Sequence, residues 1–343
     1  MDTNTHLTLA IETSCDDTSV ALVNDNGFVL SQMTANQDLV HKDFGGVVPE
    51  IAGRQHYESL LPLIDQLLSK NQITWSAVQG IAVTSRPGLV GSLIVGLVTA
   101  KTLALIQKKP FIGVHHIEGH ILSAFLNEQS PETNQIWQDG FVALVVSGGH
   151  TQLYHVPHIG QYETLGQTQD DAAGEAFDKF AKMLGLGYPG GVLVDRYAQK
   201  GNRKAYEFPR SLMKEDHYNF SFSGLKSHAQ RKLLEIGEVA PVLEDLSASY
   251  QEAIVDVLMY KLEKALRSLK LKKFVITGGV SANSRLRERA QELAIKNQWQ
   301  VLIPPLKFCT DNAAMIGLAG ALRLAKGESS PQTLGPVPRE ELR

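Results

Sequence analysis

A chain of 343 residues that is 43% apolar and 20% charged has the make-up of a folded protein with room for two domains, which excludes extended disorder. A formal net charge of −3 excludes a dedicated polycationic nucleic-acid module, so any RNA contact comes from local patches or from a partner. Two cysteines, Cys15 and Cys309, exclude a disulfide framework and fit a reducing compartment, and the expected location is the cytoplasm.

In chain order, residues 7–11 and 20–23 read as strands joined by the polar turn TSCDDTS, with a third strand over 28–33. Leu60, Leu61, Ile64, Leu67 and Leu68 recur at helical spacing within 53–70. A short buried strand over 81–84 leads through SRPG into a Gly/Ala-rich helix from about 92 to 106. The longest apolar run, about 89–105, is broken by Gly91, Gly96 and Lys101, and the N-terminal segment has no basic stretch before an apolar core. Neither a membrane span nor a signal peptide is therefore expected. A strand over 111–114 and a helix over 118–126 follow, then a polar segment, 127–140, that reads as a linker.

After the linker the opening pattern returns. Strands over 141–146 and 152–156 are joined by SGGHT, as the first two were by TSCDDTS, which suggests duplicated lobes. Helices follow over 170–185 and 245–271, then a strand over 274–277 running into GG, and a helix from about 284. A strand over 301–303 precedes a small-residue helix over 310–326, with Thr310 or Asp311 as the expected cap. The remaining 327–343 reads as a loose tail.

Three glycine-rich turns follow strands: SRPGLVG, SGGHT and TGGVSAN. Glycine lets backbone N–H groups approach a phosphate, and a helix N-terminus adds partial positive charge. None matches the Rossmann or P-loop spacing, and Ser147 in VSGG is not in a nucleophile elbow. His116 and His120 stand at i and i+4, which places both imidazoles on one helix face. That geometry suits a metal, and it equally suits two surface histidines. The zinc-protease pattern H-E-x-x-H is absent, because Ile117 follows His116. A third ligand must come from elsewhere, and Asp311 offers a carboxylate after a strand and turn. In DDAAGEAFDKF, Asp171, Glu175 and Asp178 share a helical face, either solvated or with Asp178 directed at ribose hydroxyls or a metal. Cys15 has no assignable base and reads as a packing residue. The basic runs KSHAQRK, RSLKLKK and SRLRER could touch RNA phosphates or be solvated helix faces.

Taken together, IETSCDDTSVAL, GGVVPEIAGRQH, RPGLVGSL, HHIEGH, VSGGHTQL, DDAAGEAFDK, YPGG, FSFSGLK, ITGGVSAN and CTDNAAMI resemble the bacterial tRNA N6-adenosine threonylcarbamoyltransferase family, over about residues 7–325. The resemblance implies an α/β fold of two duplicated RNase H-like lobes, as in the actin, sugar-kinase and chaperone-ATPase superfamily: a first lobe over 1–126 completed by the helix at about 312–326, and a second lobe over 140–311 with a helical insertion at about 170–250. It implies transfer of threonylcarbamoyl from threonylcarbamoyl-AMP to N6 of the adenosine 3′ of the anticodon, in tRNAs reading codons that begin with A, with release of AMP. Metal ligands would be His116, His120 and Asp311, holding one divalent ion, Fe(2+) favoured over Zn(2+). Substrate contacts would be Val145, Val146, Ser147, Gly148, Gly149, Asp178, Gly191 and Asn283, and Asp195 at a position that varies in the family. The family usually has Glu where this chain has Asp17, one methylene shorter. Implied partners are a paralogous dimerisation partner, packing on the helix over 53–70, and a small P-loop ATPase. Two rival readings are a glycoprotein metalloprotease, resting on the histidine pair, and a non-catalytic nucleotide-binding scaffold or a kinase of the same superfamily.

Overall fold

The computed structural model describes residues 7–41, 44, 47–130 and 136–342. Its elements are β1 (Leu7–Glu12), β2 (Thr18–Val23), β3 (Val29–Ala35), α1 (Asp38–His41), α2 (Pro49–Lys70), β4 (Val78–Arg86), α3 (Val90–Gln107), β5 (Phe111–His115) and α4 (His116–Leu122). There follow β6 (Phe141–Val146), β7 (Thr151–His158), β8 (Gln161–Gln167), α5 (Ala173–Met183), α6 (Gly190–Ala198), α7 (Ser223–Ile236) and α8 (Leu243–Leu269). The chain ends with β9 (Lys273–Thr277), α9 (Ser284–Asn297), β10 (Gln300–Leu302) and α10 (Ala313–Ala325).

Two compact units result, Met1–Ile136 with Asp311–Leu342, and Trp137–Thr310. Asp311 belongs to the first unit, whereas the expected division ended the second lobe on it. Each unit holds one five-stranded mixed sheet, in the orders β3-β2-β1-β4-β5 and β8-β7-β6-β9-β10. In both, the first strand pairs antiparallel with the second and parallel with the fourth, so the two hairpins seen in sequence open the same topology twice. β1 and β6 are buried along their whole length because neighbours flank them on both edges and helices cover their faces.

In the first unit α10 packs on β1, β2 and β4. Gly320 permits this approach, since a Cβ there would collide with the Ala82 side chain. α3 places Leu93, Leu97, Ala100 and Ala104 inward and leaves Ile94, Val98, Leu105 and Ile106 exposed. Its 18 residues, at a mean hydropathy of 1.7, have the length and apolarity of a membrane span, contrary to the expectation for this run. Its inner face is nevertheless part of the core that also takes in Leu9, Leu60 and Ile81. α2 begins four residues before the expected start at 53, with Pro49 in its first turn, where a missing N–H costs nothing.

In the second unit the helices beyond the sheet bury an aromatic cluster. Phe180 stacks on Tyr250 with ring centroids 3.8 Å apart, and Phe208 meets Tyr250 edge-on. The sequence reading missed β8 and α7. β8 is an exposed edge strand with little apolar signal, and α7 buries only Leu225 and Ala229. Of the expected linker, 131–135 lies outside the described residues. Its ends are ordered: Asn127 accepts the Val29 amide, and Trp137 is buried against Phe141. Gly45 and Gly46 of GGVVPEIAGRQH also lie outside the described residues.

Residues 327–342 are not loose. The amide of Ser330 donates to Phe111 O on edge strand β5, Val337 N donates to Ser85 O, Glu340 pairs with Arg86, and Leu342 is buried. A Pro- and Gly-rich strap has no periodicity to read, so its docking is invisible in sequence.

Candidate metal centre and phosphate-binding turns

The first-unit site is assembled at the end of β5 and the start of α10. His115 closes β5 and caps α4, its Nδ1 accepting the Ile117 amide at 3.2 Å. His116 and His120 then lie one turn apart, with ring centroids 4.6 Å apart and planes 85° to each other. Asp311 arrives from the far end of the chain. The cap of α10 is neither Thr310 nor Asp311 but Asn312, whose Oδ1 accepts the Met315 amide at 3.0 Å. Asp311 is thus released from capping. Its Oδ1 stands 3.4 Å from His116 Nε2 and 3.1 Å from His120 Nε2.

One ligand atom from each of His116, His120 and Asp311 lies within 4.8 Å of the others. Both histidines are buried, and Asp311 keeps 32% of its side chain exposed, which leaves the cluster a face toward solvent. Neither ring nitrogen of His120 makes a hydrogen bond, because Nε2, although 3.1 Å from Asp311, is not aligned with it. Two buried, unpartnered nitrogens are costly unless something else occupies a lone pair. Two imidazoles and a carboxylate with an open face fit a divalent ion such as iron or zinc.

Behind the pair stands Glu12, which the sequence reading passed over. It ends the apolar strand LTLAIE, is 1% exposed, and puts Oε2 3.1 Å from His116 Nδ1. A lone acid closing a buried strand was the signal available. Burial pushes the Glu12 carboxyl up, but His116 outweighs it and holds it below the usual range. Asp311 is likewise held well below, as His116 and His120 overcome its desolvation. Burial works against a charge on His116, yet Asp311 and Glu12 raise its pKa to about 10. Two carboxylates thus face one imidazolium, and the excess negative charge favours a cation that displaces the proton.

Cys15 stays a thiol, its pKa raised by burial first and then by Asp16. His56, also passed over, is buried beneath this turn. Its Nε2 bonds Cys15 O at 3.0 Å and its Nδ1 meets Thr18 Oγ1 at 2.7 Å, fixing the turn on α2.

The second unit gathers most of the expected substrate residues. Val145 and Val146 are wholly buried in β6, so their side chains offer a ligand nothing and only their main chain could. Ser147 closes the SGGHT turn, its N–H donating to His150 O. No atom lies within 4 Å of a Cβ built on Gly148 or Gly149, so the side-chain direction at both is open, while the Gly148 main chain lies against Gly174 at the start of α5. Gly278, at φ +87°, brings TGGVSAN against the Val146 carbonyl, where any side chain would clash. The Gly174 amide bonds Ser147 O, which ties the start of α5 to the same turn.

Asp178 uses Oδ1 to accept the Gly190 and Gly191 amides at 2.8 and 3.3 Å, which holds the YPGG turn. Burial raises its pKa against those two donors. The carboxylate of Asp195 accepts both Ser284 N and Ser284 Oγ, the latter at 2.7 Å. Asn283 is engaged as well, its Oδ1 accepting the Leu286 amide and its Nδ2 donating to Gln251. The expected acidic face divides: Asp171 and Glu175 both pair with Lys179, while Asp178 turns to the glycines. Asp170 accepts from Ser221, Phe222 and Ser223, which joins DDAAGE to FSFSG.

The profile of the tRNA N6-adenosine threonylcarbamoyltransferase family matches residues 28–318. The chain is 56% identical to the protein of that name from Bdellovibrio bacteriovorus over 333 residues, 96% of each chain. It is 49% identical to that from Nostoc punctiforme, over 95% of this chain and 94% of the relative. Among solved structures, HypF of T. kodakarensis aligns at a TM-score of 0.58 and 13% identity, over 94% of this chain and 48% of that one. Component A of the (R)-2-hydroxyglutaryl-CoA dehydratase of Acidaminococcus fermentans aligns at 0.54 and 14%, over 93% and 99%. At such identities these likenesses concern the fold alone, an α/β architecture with two mixed sheets. By its profile and its near full-length relatives, the chain belongs to the tRNA N6-adenosine threonylcarbamoyltransferase family.

Proposed function

We propose that this chain, as a tRNA N6-adenosine threonylcarbamoyltransferase, takes its threonylcarbamoyl group from threonylcarbamoyl-AMP and releases AMP. The acceptor is the adenosine 3′ of the anticodon in tRNAs reading codons that begin with A. Its exocyclic amine is a poor nucleophile, because its lone pair is delocalised into the purine. The donor is a mixed anhydride and already activated. The protein's task is then to position the two and to stabilise developing charge.

His116, His120 and Asp311 would hold one divalent ion, Fe(2+) favoured and Zn(2+) the alternative. Such an ion supplies a Lewis acid and template for phosphate or carbamoyl oxygens. The space left free on the side-chain side of Gly148 and Gly149 suits the adenylate phosphate. Asp178 keeps Gly190 and Gly191 in place, and its second carboxylate oxygen, without a hydrogen bond among the described residues, suits a ribose hydroxyl. Asp195 and Asn283 act by anchoring α9 to α6 and α8, since both side chains are already engaged. The target base must leave its stack for its amine to reach the threonylcarbamoyl group.

The carrying observation is the convergence of two histidines and a distant aspartate, with both His120 nitrogens unpartnered. His116→Ala is expected to abolish tRNA modification in a folded protein, measured by nucleoside analysis of modified tRNA. Full activity in that variant, with stoichiometric metal still bound, would overturn the assignment.

Exposed Tyr57 and Leu61 on α2, and Val90, Ile94 and Val98 on α3, support a paralogous partner packing on the first unit. A P-loop ATPase partner and a cytoplasmic location are expected from the family's tRNA substrate and assembly.

A further inference from the structure

Glu12, a buried carboxylate, meets three polar groups drawn from three segments of the first unit. Oε1 accepts the Ser14 amide, and Oε2 accepts from Thr84 Oγ1 at 2.6 Å while lying 3.1 Å from His116 Nδ1. Ser14 Oγ is 3.2 Å from the same nitrogen. The opposite nitrogen, Nε2, points at Asp311. His120 has no such support, since its Nδ1 meets no partner.

An ionised carboxylate can only accept. The hydrogen shared with Glu12 must therefore sit on Nδ1, and a neutral His116 must then carry its lone pair on Nε2. We infer that Glu12 is a positioning residue that fixes the tautomer and ring orientation of His116, leaving Nε2 as the metal-ligating atom. This rests on the reading that His116, His120 and Asp311 hold a divalent ion. The logic is that of a carboxylate behind a ligating imidazole. Here the carboxylate comes from the central strand of the sheet, and Thr84 on the neighbouring parallel strand holds it.

Glu12→Gln tests this with little change of shape. If the amide oxygen keeps the Ser14 bond, the amide nitrogen faces His116 Nδ1. That nitrogen can only donate, so the ring is driven to the tautomer with hydrogen on Nε2. If the amide turns over, it opposes the Ser14 N–H instead. Thr84→Val removes one hydrogen bond to the carboxylate and leaves the carboxylate facing His116.

The readouts are zinc(II) and cobalt(II) titrations of the full-length protein, and ¹⁵N-detected imidazole spectra of the zinc-loaded wild type. Glu12→Gln is expected to weaken zinc binding by about 10–100-fold, with an altered cobalt visible spectrum. Thr84→Val is expected to stay within a few-fold of wild type. The His116 ring should show a protonated Nδ1 and a zinc-bound Nε2. Zinc on Nδ1 would overturn the inference and leave the metal site standing. So would Glu12→Gln binding zinc like the wild type, or Thr84→Val losing as much as Glu12→Gln. A wild-type protein that takes up neither metal overturns both this inference and the metal site beneath it. Should Glu12→Gln fail to fold, the wild-type imidazole spectra decide alone.

Discussion

Each unit contains one dense cluster of charged side chains, and the two are built on opposite terms. In the second unit Arg285 forks onto Glu252 at 2.7 and 2.8 Å and also meets Glu288 at 2.7 Å. Arg289 reaches Glu252 and Asp256, and Arg210 also holds Asp256. Every acid there has a guanidinium, and Glu252 meets Arg285 in the planar two-point geometry that arginine favours. In the first unit Glu12 and Asp311 share one imidazolium, and neither ring nitrogen of His120 has a hydrogen bond. A satisfied network joins α8 to α9. An unsatisfied one is kept only where something outside the chain completes it. Charge density alone does not separate a structural cluster from a functional one; the balance of donors and acceptors does.

The largest expected effect comes from Asp311→Ala. It removes the only carboxylate of the proposed ligand set and should cut tRNA modification by about 100-fold or more, with metal content falling in parallel. The melting temperature should barely move, because Asn312 caps the helix. Activity surviving together with bound metal would make the first cluster structural, like the second. Glu252→Ala is the reverse case. It takes the two-point partner from Arg285, which is 10% exposed and keeps only the more exposed Glu288 and Glu292, and should cost about 2–3 kcal/mol in urea unfolding. Activity per folded molecule should be unchanged, and a selective loss of activity would contradict the structural reading. Next in size is Asn312→Ala. Loss of the α10 cap should cost about 1 kcal/mol and leave metal stoichiometry intact. The neighbours Asp311 and Asn312 thereby separate function from stability one residue apart.

Much of this was legible in sequence, for identifiable reasons. The duplicated sheet was readable because β1, β2, β6 and β7 are short apolar runs around conspicuous polar turns. His116 and His120 were readable because helical spacing is local. Asp311 could be nominated from its place after a turn, but its release from capping depends on Asn312, and no spacing rule distinguishes the two. Glu12 and His56 escaped because their roles arise from residues 104 and 41 positions away. Asp195 and Asn283 carry the opposite lesson. The resemblance that nominated them says nothing of how their side chains are used, and in the fold both help to anchor α9. The docked strap over 327–342 was unreadable, since its partners are main-chain groups at a sheet edge rather than a patterned face.

The smallest prediction concerns pH and bears on the second cluster alone. Burial pushes the Glu252 carboxyl up, but Arg285, Arg289 and Arg203 outweigh it and hold its pKa below the ordinary 4.5. A carboxylate depressed in the folded state binds its proton more readily once the chain unfolds. Its contribution is therefore fully present above the unfolded value and drains away as pH falls through the folded one. Glu252→Gln keeps the volume and removes the charge. The stability gap between wild type and this variant should be constant from pH 7 to about 5 and narrow below about 4.5. Urea unfolding at steps from pH 7 to pH 3 measures it. A gap unchanged at pH 3 would mean that the arginines gain nothing from the charge on Glu252. The cluster's hold would then be one of shape and hydrogen bonding, and its contrast with the metal centre would rest on geometry rather than on charge.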